Sequence, residues 1–545
     1  MQSTTTSRHA ETPVLIVGGG PVGLGLACDL GWRGIACVLV EQTDGRISHP
    51  RANVENARTM EFCRRWGIAE EIRKAATPAD YPHTAIYVTS MRGHEIARIE
   101  RPTHGGKAPT PTSPERTQRC NQLWFDPILV ERARSFPSVT LRHRTRLEGF
   151  IETTDGIVAD VTNLETGTHE TIAAHYLVAC CGGRSPVRKS LGVPLEGEQA
   201  LGYPINIFFR TPELWTHHDK GKTAMNFLIG PEGLWGNLTA LDGRDLWRLT
   251  LQGTTTYRDP ASVDVAAEIA RAVGCEVPFE LISCQSWTRR DTVAARFRYG
   301  RAFLAGDCAH QHSPAGGFGL NTGMGDAFDL GWKLEAALAG WAGPALLDSY
   351  EIERRPVAQR NVGEATANFR RQSVGDTRCV LDDTQEAKAL REKLRAYLIA
   401  ESTRQFLSDG IAFGYVYDAS PIVCPDGSEP PEIVVERYTP TTYPGARAPH
   451  AWIEPGRSTI DLFGRGFALL QLGATPVDAT PLLAATRARG VPISATHIES
   501  PEIAALYQRR LVLVRPDGHV AWRGDVLPPD PLGVIDRLRG AAPAE

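Results

Sequence analysis

The stretch from Pro13 to Glu41 constrains the fold more than any other part of the chain. An apolar run, Pro13 to Val17, leads into Gly18-Gly19-Gly20-Pro21-Val22-Gly23, and an apolar helical pattern follows from Leu24 to Leu30. A second apolar run, Ala36 to Val40, ends at Glu41. The order is strand, G-x-G-x-x-G turn, helix, strand, with an acid roughly 20 residues beyond the glycines, the layout that holds an ADP moiety. Gly18, Gly20 and Gly23 are expected to admit a pyrophosphate to the helix end, and Glu41 to take ribose hydroxyls. Residues 13–45 therefore read as β-α-β, the opening of a Rossmann-like α/β fold.

A second glycine-rich segment stands far away in sequence. Residues 306–329 read GDCAHQHSPAGGFGLNTGMGDAFD and follow the apolar run Ala302 to Ala305. Gly316, Gly317, Gly319, Gly323 and Gly325 precede an amphipathic stretch, Ala327 to Leu338. Glycine lets backbone N–H groups approach a ligand closely. A glycine-rich loop entering a helix presents unpaired donors and a positive dipole end. That suits a phosphate, or a carbonyl that gains electron density when a ring is reduced.

Composition narrows the class. A chain of 545 residues, 42% hydrophobic and 22% charged, fits a soluble globular protein of several domains. The net charge of −4 gives no argument for nucleic acid or an anionic membrane. The apolar runs fall short of the roughly 18 residues a membrane helix needs. Residues 1–12 are polar, lack a secretory h-region and read as a disordered tail. The 11 cysteines are scattered, with no C-x-x-C and no Cys/His cluster at zinc spacing. A reducing cytoplasm, no metal and no disulfide framework are the expectations.

Four segments emerge. Residues 1–200 carry the first part of the nucleotide fold, with helices from Asn53 to Trp66 and Gln122 to Ser135 and a punctuated loop from Gly105 to Pro114. Residues 201–300 read as a β-rich insert. Residues 301–435 complete the nucleotide fold and add a charged helical segment, clearest from Thr384 to Leu398. Residues 436–545, opened by Tyr443-Pro444-Gly445, read as a small α/β domain.

Together these motifs resemble the group A FAD-dependent aromatic hydroxylases, the monooxygenases with a p-hydroxybenzoate hydroxylase fold. The resemblance runs over nearly the whole chain. Gly306-Asp307 with Pro314 to Asn321 is similar to the family's second FAD motif, and Asp326-Ala327, Trp332-Lys333-Leu334 and Tyr350 to Pro356 continue it. It implies that Asp307 binds the ribityl chain and that Pro314 lies near the reacting edge of the isoalloxazine. The Gly319, Leu320 and Asn321 backbone would face the pyrimidine carbonyls. Arg51 and Arg58 would approach the pyrophosphate or the nicotinamide nucleotide, and Gln122 the adenosine–ribityl side. The tail, including Arg515-Pro516-Asp517-Gly518, resembles the thioredoxin-like domain of phenol hydroxylase relatives. Without a C-x-x-C it is expected to pack or dimerise rather than do redox work.

One segment departs from the family pattern. Residues 176–185 read YLVACCGGRS where the family usually shows YLVGADGARS, so Cys181 replaces the aspartate of a motif linked to FAD and NAD(P)H handling.

The resemblance implies a monooxygenase that uses FAD, NAD(P)H and O₂, through a flavin C4a-hydroperoxide, to hydroxylate a phenolic or polyketide-derived aromatic. A flavin oxidase or dehydrogenase without oxygen insertion is the alternative, and a flavin-sequestering protein a further one. His310 and His312 are candidates for the phenol base, with His312 grouped with Pro314 at the reacting centre. Asn206, Asn226, Phe208, Phe227 and Trp235 of the insert, with Phe318, are candidate substrate contacts. A small aromatic molecule and a possible homodimer are the expected partners, with no nucleic acid and no membrane.

Overall fold

The computed structural model describes residues 8–101, 103, 110–212 and 214–541. The first strand, Arg8–Val17, begins inside the stretch expected to be a disordered tail. It does so because the long strand His169–Ala179 offers parallel partners from Glu170 onward. Residues 1–7, and residues 105–109 of the expected Gly105–Pro114 loop, lie outside the described residues.

The nucleotide fold is built on an eight-stranded sheet. Its main path runs Arg298–Tyr299, Ala302–Leu304, His169–Ala179, Arg8–Val17, Cys37–Val40, Val139–Arg142. The four strands from Ala302–Leu304 to Cys37–Val40 are mutually parallel and apolar because both faces are covered. Helix Pro21–Arg33 and helix Phe318–Leu338 cross on one face with little between them. A Cβ on Gly25 would stand 3.0 Å from the Met324 side chain, and one on Gly331 would stand 2.2 Å from Asp29 Oδ2. Glycine at these points is what lets the helices approach.

A seven-stranded sheet forms the second layer, in the order Glu280–Ser286, Ile205–Arg210, Leu246–Leu251, Gly233–Ala240, Met225–Gly230, Ala85–Val88, Glu95–Ile99. Its last two strands come from the region the sequence assigned to the first nucleotide segment. Ala85–Val88 joins in parallel to Met225–Gly230, a pairing no local pattern reveals. Ile205, Ile207 and Phe209 bury one face with Ile269, Ala272 and Val273 of helix Val265–Val273.

The C-terminal domain is thioredoxin-like, a four-stranded sheet in the order Ile493–Ile498, Phe467–Leu472, Leu511–Val514, Val520–Gly524. Helices Thr480–Ala488 and Pro531–Leu538 pack in one core with Trp332 and Trp341 of the nucleotide fold, while Pro501–Tyr507 covers the other face. Trp332 meets Phe467 edge-on at 6.1 Å between ring centroids.

The docking also buries charge. Arg515 donates to Glu353 Oε1 at 2.6 Å and to Asp329 Oδ1 at 3.1 Å, and Lys333 reaches the same two acids at 2.6 and 2.8 Å. Asp329, Glu353 and Asp517 form an acidic trio whose centre these two cations already fill. No helix among the described residues is long and apolar enough to cross a membrane.

Candidate functional site

The two glycine motifs meet. A Cβ on Gly306 would stand 2.9 Å from Val22 Cγ2, and one on Gly323 would stand 2.6 Å from the same atom. Val22 belongs to the Gly18–Gly23 turn, so that turn and the loop before helix Phe318–Leu338 share one floor.

The glycines of the first turn divide by role. Gly18 has φ +112°, and a Cβ there would lie 2.4 Å from Cys180 O. A Cβ on Gly23 would lie 2.0 Å from Gly18 O. Both are needed by the fold itself. Gly20 is different, because a Cβ on it meets nothing within 4 Å. It borders open space at the N-terminus of helix Pro21–Arg33.

That helix has no side-chain cap and no acid in its first turn. Helix Phe318–Leu338 is the same: its N-cap is Gly317 at φ +72°, without a capping side chain or early acid. Each helix end therefore carries unpaired N–H donors and a positive dipole. Two such ends, on segments that touch at Val22, fit an anionic diphosphate and an electron-rich carbonyl edge. Glu41 holds the first turn in shape, accepting from Gly19 N at 2.8 Å and Thr43 N at 2.7 Å.

A cluster of polar groups gathers around Arg51. Asp307 is exposed between the buried Gly306 and Cys308; the surrounding protein pushes its pKa up, and His310 and Arg51 oppose that. Gln122 accepts from Ala52 N at 3.0 Å and so fixes the backbone beside Arg51. Asp126, one helical turn after Gln122, is buried with both carboxylate oxygens unpartnered. Burial raises its pKa to about 8, against the pull of Arg51 and Gln122. A buried acid without a hydrogen-bond partner near Arg51 is an observation that a hydroxyl-rich cofactor would satisfy.

The second loop is pinned from behind. Asp326 accepts from Gly306 N at 3.1 Å, from Arg354 Nε at 2.9 Å, and pairs with His310 Nε2 at 2.6 Å. Burial alone would raise the Asp326 pKa, but His310 and Arg354 outweigh it and hold the carboxylate ionised. The Asn321 side chain is fully used. It accepts from Asn56 N and Thr59 Oγ1 at 2.8 and 2.7 Å, and donates to Val54 O and Gly317 O at 2.9 and 2.8 Å. Pro314 is exposed at the loop's tip, and its carbonyl accepts from Gly317 N. Gly319 and Leu320 are half-buried in the first turn of the helix. Behind them lies His312, whose ring nitrogens have no partner and whose pKa burial and His310 push well below the ordinary value.

The seven-stranded sheet turns its other face toward residues 49–51. Asn206 and Phe208 point there, opposite the face carrying Ile205, Ile207 and Phe209. Cross-strand pairing places Thr250 beside Asn206 and Arg248 beside Phe208, and Thr250 Oγ1 donates to Asn206 Oδ1 at 2.9 Å. His49 Nδ1 lies 2.7 Å from Ser283 Oγ, and its ring is edge-on to Phe208. Arg248 Nη1 donates to Arg51 O at 2.8 Å. The sheet face is thereby joined to the segment that carries Arg51. Phe227 stacks on Tyr87 at 4.6 Å on this same face, under Leu394 and Leu398 of helix Gln385–Ser402.

Several expected site residues sit elsewhere. Trp235 packs in the outer core, with Arg271 3.9 Å over its ring. A register shift between Leu228 and Ile229 turns it to that face. Asn226 is wholly buried on the outer face, tied to Thr223 and Leu238 O. Phe318 packs with Ala365 and Ile411 rather than presenting a free wall. Arg58 spends its guanidinium on Glu61 at 2.7 Å and on Asp517 O at 2.6 Å, so it braces the C-terminal domain instead of reaching a pyrophosphate. Arg248, His49 and Asp126 are site-lining groups that the sequence reading passed over. For Arg248 a signal exists, since Leu246 to Leu251 alternates and puts Arg248 and Thr250 on the polar side.

Comparison with known proteins agrees with this geometry. The FAD-binding domain family matches residues 11–365, and the aromatic-ring hydroxylase C-terminal family matches residues 441–542. The chain is 30% identical to the FAD-dependent monooxygenase apdD of Emericella nidulans, over 94% of this chain and 87% of that one. It is 32% identical to the tetracenomycin B2 monooxygenase-dioxygenase of Streptomyces olivaceus, over 96% and 97%. The solved structure of RebC soaked with chromopyrrolic acid and holding 7-carboxy-K252c matches with a TM-score of 0.92 and 44% identity, covering 98% of this chain and 100% of that one. The flavin-dependent monooxygenase PieE, in complex with FAD and substrate, matches with a TM-score of 0.88 and 30% identity, over 98% and 99%. The chain belongs to the FAD-dependent aromatic-ring hydroxylases.

Proposed function

We propose that this enzyme hydroxylates a fused-ring aromatic acid, with NAD(P)H and O₂ as co-substrates. Bound FAD supplies the redox and oxygen-activating chemistry, and the chain supplies position, electrostatics and exclusion of water. The helix end at Gly20 takes the pyrophosphate, and Asp307 with Gln122, Arg51 and Asp126 takes the sugar-alcohol chain. The Gly319–Asn321 turn offers its donors and dipole where negative charge collects on the reduced ring. Pro314 has no N–H and lines the reacting face without offering a competing donor. His312, kept neutral, enters as an uncharged group and not as a strong base for a phenol.

The observation that carries the substrate class is Arg248. It stands beside Phe208 on the inner sheet face, and no carboxylate among the described residues pairs with it. Burial lowers its pKa to about 10, the mark of a cation short of a counter-charge. An aromatic body against Phe208 with an acid group toward Arg248 satisfies both. The compound bound in RebC is a carboxylated one, 7-carboxy-K252c, and the relatives include a tetracenomycin B2 monooxygenase-dioxygenase and an aklavinone 12-hydroxylase. A flavin oxidase or dehydrogenase is not favoured, since these relatives are named as monooxygenases and hydroxylases.

The test is a panel of fused aromatics offered as free acid and as methyl ester. The acid should gain one oxygen atom, and Arg248→Gln should raise its KM at least tenfold with a smaller change in kcat. Equal turnover of acid and ester would overturn the assignment of Arg248.

A further inference from the structure

Cys181 Sγ and Cys308 Sγ lie 3.6 Å apart. They are 127 residues apart in sequence and come from different motifs: Cys181 replaces the aspartate at residues 176–185, and Cys308 follows Asp307. The fold brings them together because the strands that precede them, His169–Ala179 and Ala302–Leu304, are parallel neighbours, with Leu304 opposite Ala179. Cys308 is fully buried and Cys181 is partly exposed, so Cys181 is the more accessible residue of the two. The Cys181 backbone also abuts the dinucleotide turn, its Cα standing 2.7 Å from where a Cβ on Gly18 would be.

We propose that Cys181 and Cys308 form a peroxide-responsive thiol pair that closes to a disulfide across the junction of the two FAD-binding segments. In the first step the Cys181 thiolate attacks hydrogen peroxide: an S–O bond forms, the O–O bond breaks, and hydroxide leaves and takes up a proton as water. In the second step the Cys308 sulfur attacks that sulfenic acid: the S–S bond forms, the S–O bond breaks, and the Cys308 proton leaves with the oxygen as a second water. Two thiols are oxidised by two electrons, and one peroxide is reduced to two waters. A dithiol reductant reverses it. The remaining approach is short, from 3.6 Å to the disulfide length of about 2.05 Å.

The surroundings favour the first step at Cys181. The hydrogen bond from the Cys308 thiol, with help from Ser185 Oγ at 3.1 Å, lowers the Cys181 pKa to about 7 against the effect of burial. Burial and the neighbouring Cys181 sulfur push Cys308 the other way. A partly exposed thiolate in front of a buried thiol is the arrangement of an attacking and a resolving cysteine. The peroxide is the by-product when the proposed hydroxylase reduces O₂ without hydroxylating, and in that respect the inference rests on the proposed function. The test supplies peroxide directly, so the two stand or fall separately.

FAD-loaded protein is treated with one equivalent of hydrogen peroxide, denatured under alkylating conditions, and mapped by non-reducing peptide mass spectrometry. The expected result is a linked peptide pair holding Cys181 and Cys308, two hydrogens lighter than the sum, with free thiols falling from eleven to nine and returning on reduction. Cys308→Ser should instead leave a Cys181 sulfenic acid that dimedone traps. The proposal is overturned if Cys181 and Cys308 are both recovered as alkylated thiols while Cys275, Cys284 or Cys379 has oxidised, or if Cys181 accumulates as a sulfinic acid with no link. The wild-type map decides the question even if the variant fails to fold.

Discussion

Gly306 rests on Val22, with no room for a side chain between them: a Cβ at 306 would stand 2.9 Å from Val22 Cγ2. This contact joins segments nearly three hundred residues apart into one continuous cradle. Gly306 also holds φ at +62°, which disfavours any residue with a Cβ. Gly306→Ala should therefore cost about 1–2 kcal/mol for the backbone and about 1–3 kcal/mol for the overpacking. A drop of several degrees in Tm, with weakened FAD retention on gel filtration, is the expected outcome.

Asn321 holds residues 54–59 to the glycine loop through four hydrogen bonds. Asn321→Ala leaves those groups without their partner at about 1 kcal/mol each, or about 2–4 kcal/mol in total. Denaturant unfolding should show that loss. FAD affinity should fall too, because Gly317 and the helix end it caps lose their anchor.

Asp126 gives a pH signature. Its folded-state pKa of about 8 lies above the ordinary aspartate value of 3.8, so the folded protein holds a proton there that the unfolded chain releases. Stability falls as pH rises through that interval and levels off above it. Asp126→Asn removes this loss. In cofactor-free protein, wild type and variant should melt together near pH 4, and the variant should melt higher at pH 8. Parallel melting curves at both pH values would show that the carboxyl is not held protonated.

Arg515 is fully buried among Asp329, Glu353 and Asp517. Arg515→Ala strips Asp517 of its partner and leaves Asp329 and Glu353 to share Lys333 alone, and should cost about 3–5 kcal/mol. Part of that should return at acidic pH as the carboxylates take up protons. Chemical denaturation at two pH values measures both effects, and a loss below about 1 kcal/mol would show that the Arg515 ion pairs contribute little to the docking.

What the sequence made legible was what the backbone demands locally. The Gly18–Gly23 turn and the 306–325 loop announce themselves because only glycine fits positions such as Gly18 and Gly317. The insert was readable as strands but not as faces, since the register shift beside Ile229 moves Trp235 to the outer core without any local mark. Arg58 reads as a cofactor ligand because one of its partners, the Asp517 carbonyl, arrives from a domain more than four hundred residues away. Strands Ala85–Val88 and Glu95–Ile99 were assigned to the nucleotide segment for the same reason: their partner is distant in sequence. The approach of Cys308 to Cys181 has no local mark either, since parallel strands bring together residues 127 apart.

The central claim is that a single FAD spans both glycine cradles, and Gly20 offers the most direct test. Its backbone is extended at φ −76°, and a Cβ there meets nothing within 4 Å, so Gly20→Asp should fold as well as wild type. Calorimetric titration of the cofactor-free protein should give one FAD per wild-type chain, with affinity reduced at least tenfold both in Gly20→Asp and in Asp307→Ala. Wild-type affinity in either variant, with the fold intact, would mean that the two cradles do not share one cofactor, and would contradict the account.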